Sequence, residues 1–258
     1  LENGYYSIDY EDLAAQFKPV YRMVPVPARV KMMLLCNPHN PGGRVWNREE
    51  LTKMGEIVIK NGAIMVSDEI HCELLFKGHE HVPFATISKE FEQNSVTCMA
   101  PSKTFNLAGL GASINIIPNA KLRDQFVQAK AGIMPSANIF GLVALEAAYN
   151  HGDEWLAQFL EHMQGNLDFL IRYFESSIPK IKVIKPEGTY LIWLDCRELN
   201  MDEEELAEFM NKKAKVGLDH GYAFGPSGKG FERINIACPR VTLEEALRRI
   251  EKAVNELG

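Results

Sequence analysis

The sequence predicts an α/β chain in two parts, a mainly parallel sheet layered with helices and then a smaller α+β domain. Two observations carry that prediction. Through the first half, short apolar runs alternate with helical patterns, the order that lays strands side by side in parallel. After about Pro135 two long helical stretches follow, and beyond them strands and helices alternate differently. No internal repeat links the halves, so they read as distinct units, residues 1–150 and 151–258, the second opening with the connecting helix.

In chain order, residues 32–36, 63–67, 95–100 and 112–118 are the strands expected in the first half. Between the first two, Asn47 can cap a helix with Glu50 three residues on, and Asn61-Gly62 supplies the stop, completing one βαβ unit. Helices are expected over 138–150 and 153–177, broken only at His151-Gly152. Further on, 180–185, 189–196 and 231–238 read as strands, and Asp202 with Glu205 caps a helix over 202–215. Thr242 with Glu245 is expected to cap a final helix reaching Leu257.

Composition narrows the functional classes. The chain has 258 residues, 46% hydrophobic and 24% charged, with a net charge of -6 and no low-complexity tract, which is globular composition. Basic residues are scattered among acids, so neither nucleic acid nor an anionic membrane is an expected partner. No run of about 18 apolar residues suggests a membrane span. The five cysteines are far apart without a C-x-x-C pair, and Cys36 and Cys98 lie in apolar runs as small buried hydrophobes do, which suggests a reducing, cytoplasmic compartment. A small-molecule enzyme is the reading left.

In open parallel sheets, ligands gather beyond the carboxyl ends of the strands. After the first strand comes "NPHNPGG", where Pro38 and Pro41 restrain Asn37 and Asn40 and stiffen the loop. After the second comes "DEIH". Asp68 would end a strand apolar enough to be buried on both faces, where a carboxylate needs a cationic answer, and His71 follows three residues on. After the third comes Lys103, in "MAPSKTFNLAGLG", with the small residues Ala108, Gly109 and Gly111 leaving room for something flat beside its amine. Burial there would make that amine a nucleophile toward carbonyls. Taken singly, these residues are a turn asparagine, a helix-capping aspartate, a structural histidine and a surface lysine. Together they form the set pyridoxal phosphate requires: an amine for the aldehyde, an acid for the ring nitrogen, and donors near the ring oxygen. Along 231–238, Arg233 shares one face with Asn235, and its fork suits a carboxylate.

The stretches "NPHNPGGRVW", "SDEIHCELLF", "HVPFATIS", "APSKTFNLAGL", "EGTYLIWLDC" and "FERINIACPR" resemble fold-type I pyridoxal-phosphate enzymes, closest to the aminotransferase-like carbon-sulfur lyases of the cystathionine beta-lyase group. The resemblance runs nearly end to end. It implies that Lys103 holds the cofactor's aldehyde and Asp68 pairs with the ring nitrogen, while Asn40 and His71 serve the ring oxygen. Ser102 would contribute to phosphate binding, and Arg233 would clamp the substrate carboxylate, with Arg240 a weaker candidate. It also implies a homodimer acting on an L-amino acid, and a chain that begins inside the cofactor domain. Two positions depart from many aminotransferases: Ala100 and Gly111 stand where a serine and an arginine serve the phosphate. The missing arginine leans toward the lyase branch. Transamination is the alternative reaction, and a non-catalytic regulatory protein the alternative class. "GPSGKG" at 225–230 lacks the earlier glycine and the following helix of a phosphate loop, so it reads as a turn. "HEH" at 79–81 reads as a polar loop, with no metal assigned.

Overall fold

The computed structural model describes residues 1–2, 4–18 and 30–257. A short helix, α1 (Tyr10–Gln16), starts at Asp9, whose side chain accepts from the Asp12 amide. Strand β1 (Met32–Cys36) then leads into α2 (Arg48–Lys60), where the expected Asn47/Glu50 capping box is formed in both directions. Next come β2 (Ile64–Asp68), α3 (Lys89–Gln93), β3 (Ser95–Met99), the four-residue α4 (Pro101–Thr104) and β4 (Ile114–Ile116). The sheet order is β1-β2-β3-β4, the first three parallel and β4 antiparallel. Helix α2 covers one face of this sheet: Leu51, Met54 and Val58 are buried against Met65, Phe84 and Phe91. Each such side chain contributes roughly 1.5–3 kcal/mol by leaving water.

The expectation of strands buried on both faces is corrected here. Leu34 is 74% exposed and Met32 54% exposed, because no described element packs on their side of β1. Cys36 and Cys98 are accordingly half-buried, and Asp68 is exposed. All five cysteines are free thiols.

Helices α5 (Ala120–Lys130), α6 (Ile139–His151) and α7 (Asp153–Ser177) follow, with Gly152 between the last two. The second sheet is antiparallel throughout, in the order β5-β6-β8-β7, from β5 (Lys182–Ile184), β6 (Leu191–Asp195), β7 (Asp219–His220) and β8 (Phe231–Asn235). Its core joins Met163, Leu167, Leu170 and Phe174 of α7 to Leu243, Leu247 and Ile250 of the last helix, α9 (Arg240–Asn255). Between β6 and β7, α8 (Glu203–Glu208) starts at the expected Asp202/Glu205 box. It then widens into a π turn over Phe209–Ala214, which lets Phe209, Met210 and Ala214 all reach the core. At α9 the expected cap is wrong. The Thr242 amide already bonds the Pro239 carbonyl at 3.0 Å, so Thr242 lies inside the first turn and no side chain caps the helix. Among the described residues, no helix is long and apolar enough to cross a membrane.

The loops after β1 and before β6 are tied together. The Gly43 carbonyl accepts from the amides of Glu187 and Gly188 at 2.7 and 3.1 Å. Gly43 has φ +71°, and a Cβ on it would stand 2.7 Å from Pro186 Cβ, so both conformation and space require glycine there. Arg44, 2% exposed, adds an ionic tie: Nε donates to Glu187 Oε2 at 2.9 Å and Nη2 to Glu50 Oε1 at 2.9 Å. This junction fixes the "NPHNPGG" loop against the second sheet.

Candidate active site

Asp68 is the last residue of β2, and the register sets it between Cys36 of β1 and Cys98 of β3. Paired positions in a parallel ladder point to the same face, so the two thiols flank the acid. Burial pushes both thiols up, and the Asp68 charge adds to that rise. Asp68 Oδ1 accepts from the Ile70 amide at 3.2 Å, a turn that starts the path to His71.

His71 is 3% exposed, and its Nδ1 is buried without a hydrogen-bond partner among the described residues. Its pKa is pushed down to about 4, first by burial and then by the positive charges of Lys103 and Arg233. Those three side chains therefore share one electrostatic neighbourhood, and the imidazole is neutral at pH 7. Tyr190 closes one side, its ring edge-on to His71 at 6.0 Å. Burial raises the Tyr190 phenol, and Arg233 moderates the rise.

Lys103 sits in α4, half-buried, directly beyond the end of β3. Among the described residues its ammonium makes no hydrogen bond or ion pair, unlike most part-buried lysines. Ser102 precedes it on the same turn, half-buried, and its carbonyl accepts from the Leu107 amide.

Arg233 on β8 reaches across to the first sheet: Nη1 donates to Asn40 Oδ1 at 2.8 Å. Nε and Nη2 donate to Asp219 Oδ2 at 3.1 and 2.7 Å. Sequence reasoning offered a carboxylate clamp, and the structure shows a guanidinium only 16% exposed that already has an ion-pair partner in Asp219. Arg240 stands apart from this group. Its Nε donates to the buried Asn166 Oδ1 on α7 at 2.8 Å and its guanidinium lies 4.6 Å over Phe169, so it serves packing between α7 and α9.

Asp219, Tyr190 and a buried carboxylate, Glu69, were not singled out from the sequence. Glu69, 1% exposed, accepts from Ser67 Oγ at 2.9 Å and from the Phe84 amide at 3.0 Å, and pairs with His81 Nε2 at 2.9 Å. The "HEH" loop is thus corrected at one position, since His81 is a buried partner that pins the segment after Asp68. "GPSGKG" does form turns leading into β8. No group of three or more metal-ligating side chains occurs among the described residues.

Lys103, His71, Arg233 and Asn40 are thus linked, an unpaired amine, a neutral imidazole with an orphaned buried nitrogen, a guanidinium and an amide, while Asp68 stands exposed at the end of β2 with the Ile70 amide as its partner. These are residue types suited to a flat anionic carbonyl compound and an amino acid carboxylate. Comparisons with known proteins give the family. The family model for aminotransferase class I and II matches residues 3–250. Cystathionine beta-lyase PatB of Bacillus subtilis is 42% identical over 255 residues, 98% of this chain and 64% of that protein. Protein MalY of Escherichia coli is 33% identical over 87% of this chain and 57% of its own length. The crystal structure of cystalysin from Treponema denticola, which contains pyridoxal 5'-phosphate, superposes with a TM-score of 0.93 at 39% identity, over 100% of this chain and 64% of that one. This chain thus spans less than two thirds of those relatives. With the residue set and these likenesses together, the chain belongs to the class I and II aminotransferase family.

Proposed function

We propose that this chain belongs to a pyridoxal-phosphate enzyme that cleaves the β carbon-sulfur bond of an L-amino acid such as cystathionine, giving pyruvate, ammonia and a thiol. The observation that carries the reading is the shared electrostatic field of Lys103, His71 and Arg233, with Asn40 bonded to Arg233. When bound, the cofactor supplies an electron sink for the pair left at the substrate's α carbon. Lys103 Nζ would hold the cofactor's aldehyde, and its free amine would serve as general base for the substrate's α proton. Asp68 would pair with the ring nitrogen and hold its proton, while neutral His71 and the Asn40 amide would serve the ring oxygen. Ser102 contributes to the phosphate, and Arg233 orients the substrate by its carboxylate. With the α proton on Lys103, the sulfur would leave the β carbon with the C–S electron pair and pick up a proton as the thiol. Water would hydrolyse the three-carbon remainder to pyruvate and ammonia.

The similarity to PatB, a cystathionine beta-lyase, favours elimination over transfer of the amino group to a 2-keto acid. A homodimer in the cytoplasm and a division of the chain near residue 150 complete the proposal. The test uses the complete gene product. A visible absorbance band from bound cofactor, lost in Lys103→Ala with folding intact, supports the assignment, and its absence from the wild type favours the non-catalytic reading. Pyruvate released from cystathionine without an added keto acid supports the lyase. Product that needs a keto acid acceptor overturns it in favour of the transferase.

A further inference from the structure

Arg233 is held more firmly than a carboxylate ligand alone would require. A guanidinium has five N–H donors in a rigid fork, one on Nε and two on each terminal nitrogen. Three are used here: Nε and one on Nη2 go to Asp219 Oδ2, and one on Nη1 goes to Asn40 Oδ1. The Phe224 ring lies 4.7 Å from the guanidinium carbon and fixes its plane. What remains is one N–H on each terminal nitrogen, and no described residue accepts from either. Two N–H donors on neighbouring nitrogens are what a carboxylate engages.

From this count we propose that Asp219 is a positioning residue, which holds the Arg233 fork turned so that its free pair receives the substrate carboxylate. The proposal rests on the reading of Arg233 as the carboxylate clamp. Backbone register builds the arrangement: Asp219 and Arg233 are direct partners across β7 and β8, so their side chains share a face. Asp219 engages the Nε edge through a single oxygen and remains 55% exposed, so it need not leave for the other edge to bind an anion. Its negative charge opposes a second carboxylate only weakly, because solvent screens it. Freed of this anchor, the guanidinium would spend only part of its time in the receptive orientation, and apparent affinity would fall by that fraction.

The experiment measures binding of 3-methylthiopropionate, a thioether carboxylate without an amino group, to the holoenzyme by calorimetry, alongside KM and kcat for cystathionine. Asp219→Ala is expected to weaken carboxylate binding and raise KM about tenfold with kcat within about twofold, since only the competent fraction changes. Asp219→Asn keeps an oxygen acceptor at that place and is expected to stay within about threefold of wild type. Binding to Asp219→Ala as tight as wild type, or tighter, overturns the proposal, the latter because Asp219 would then be a competitor. Asp219→Asn as weak as Asp219→Ala overturns it too, since charge and not orientation would be at work. Arg233→Ala separates the two levels. If it binds the carboxylate normally, the clamp reading itself is wrong; if it fails to bind while Asp219→Ala is normal, only the positioning role is lost.

Discussion

Replacing Arg44 by methionine removes the guanidinium from the junction that presents Asn40. The side chain is 2% exposed and lies between the Tyr5 and Trp46 rings, 4.0 and 4.5 Å from their centroids. It donates to Glu187 Oε2 at 2.9 Å, to Glu50 Oε1 and Oε2 at 2.9 and 3.0 Å, and to the Tyr6 carbonyl. Removing one member of a buried ionic cluster costs about 3–5 kcal/mol, chiefly because the partner charges stay behind. Here the carboxylates keep some water, with Glu50 20% and Glu187 14% exposed, and Glu187 retains the Val45 amide and the Tyr5 hydroxyl as donors. The lower end applies, about 3 kcal/mol, or roughly 150-fold in the unfolding equilibrium. At about 2–4 °C per kcal/mol for a chain of this size, Tm falls by about 6–12 °C. Urea denaturation followed by tryptophan fluorescence measures it, with an unchanged m-value confirming a native-state effect. Arg44→Lys recovers only part of the loss, because one ammonium cannot replace a fork that spans Glu50, Glu187 and Tyr6. An Arg44→Met protein within about 1 kcal/mol of wild type would refute the buried-cluster reasoning.

The other expectations concern the first sheet and its site. Gly55 on α2 faces Phe91, and a Cβ there would overlap the ring. Gly55→Ala gains about 1 kcal/mol of helix propensity but overpacks the core at about 1–3 kcal/mol, so it lowers the denaturation midpoint, and Phe91→Leu in the same chain restores it. A more stable single variant would contradict that balance. His71 titrates near 4 when folded against an ordinary 6.5, so the unfolded chain binds its proton first as pH falls. The stability it contributes is fully present above about 6.5 and is lost progressively down to about 4, a span worth roughly 3 kcal/mol. His71→Asn should flatten that part of the stability profile of the cofactor-free protein, and an unaltered slope between pH 4 and 6.5 would contradict the assignment.

Much of this fold is legible in the chain because its signals are local. The Asn47/Glu50 and Asp202/Glu205 boxes form as expected, since each closes within three residues. The strand ends were legible too, so Asp68 and Lys103 could be named from their positions after apolar runs. The cap expected at Thr242 does not form because the helix is entered earlier: Pro239 takes the cap position and Arg240 begins the first turn, which already contains Thr242. The exposure of Asp68 and Leu34 was illegible, since an apolar strand reads alike whether one face or two are covered.

By itself, the sequence determined the element types, the strand ends and the residue chemistry gathered there, because periodicity, caps and turn residues act over a few positions. Only the tertiary structure decided the partners. Arg44 meets Glu187 143 residues away and Arg233 meets Asn40 193 residues away. Antiparallel register alone sets Asp219 beside Arg233. Such pairings depend on how strands and loops close through space, and no local pattern encodes that closure.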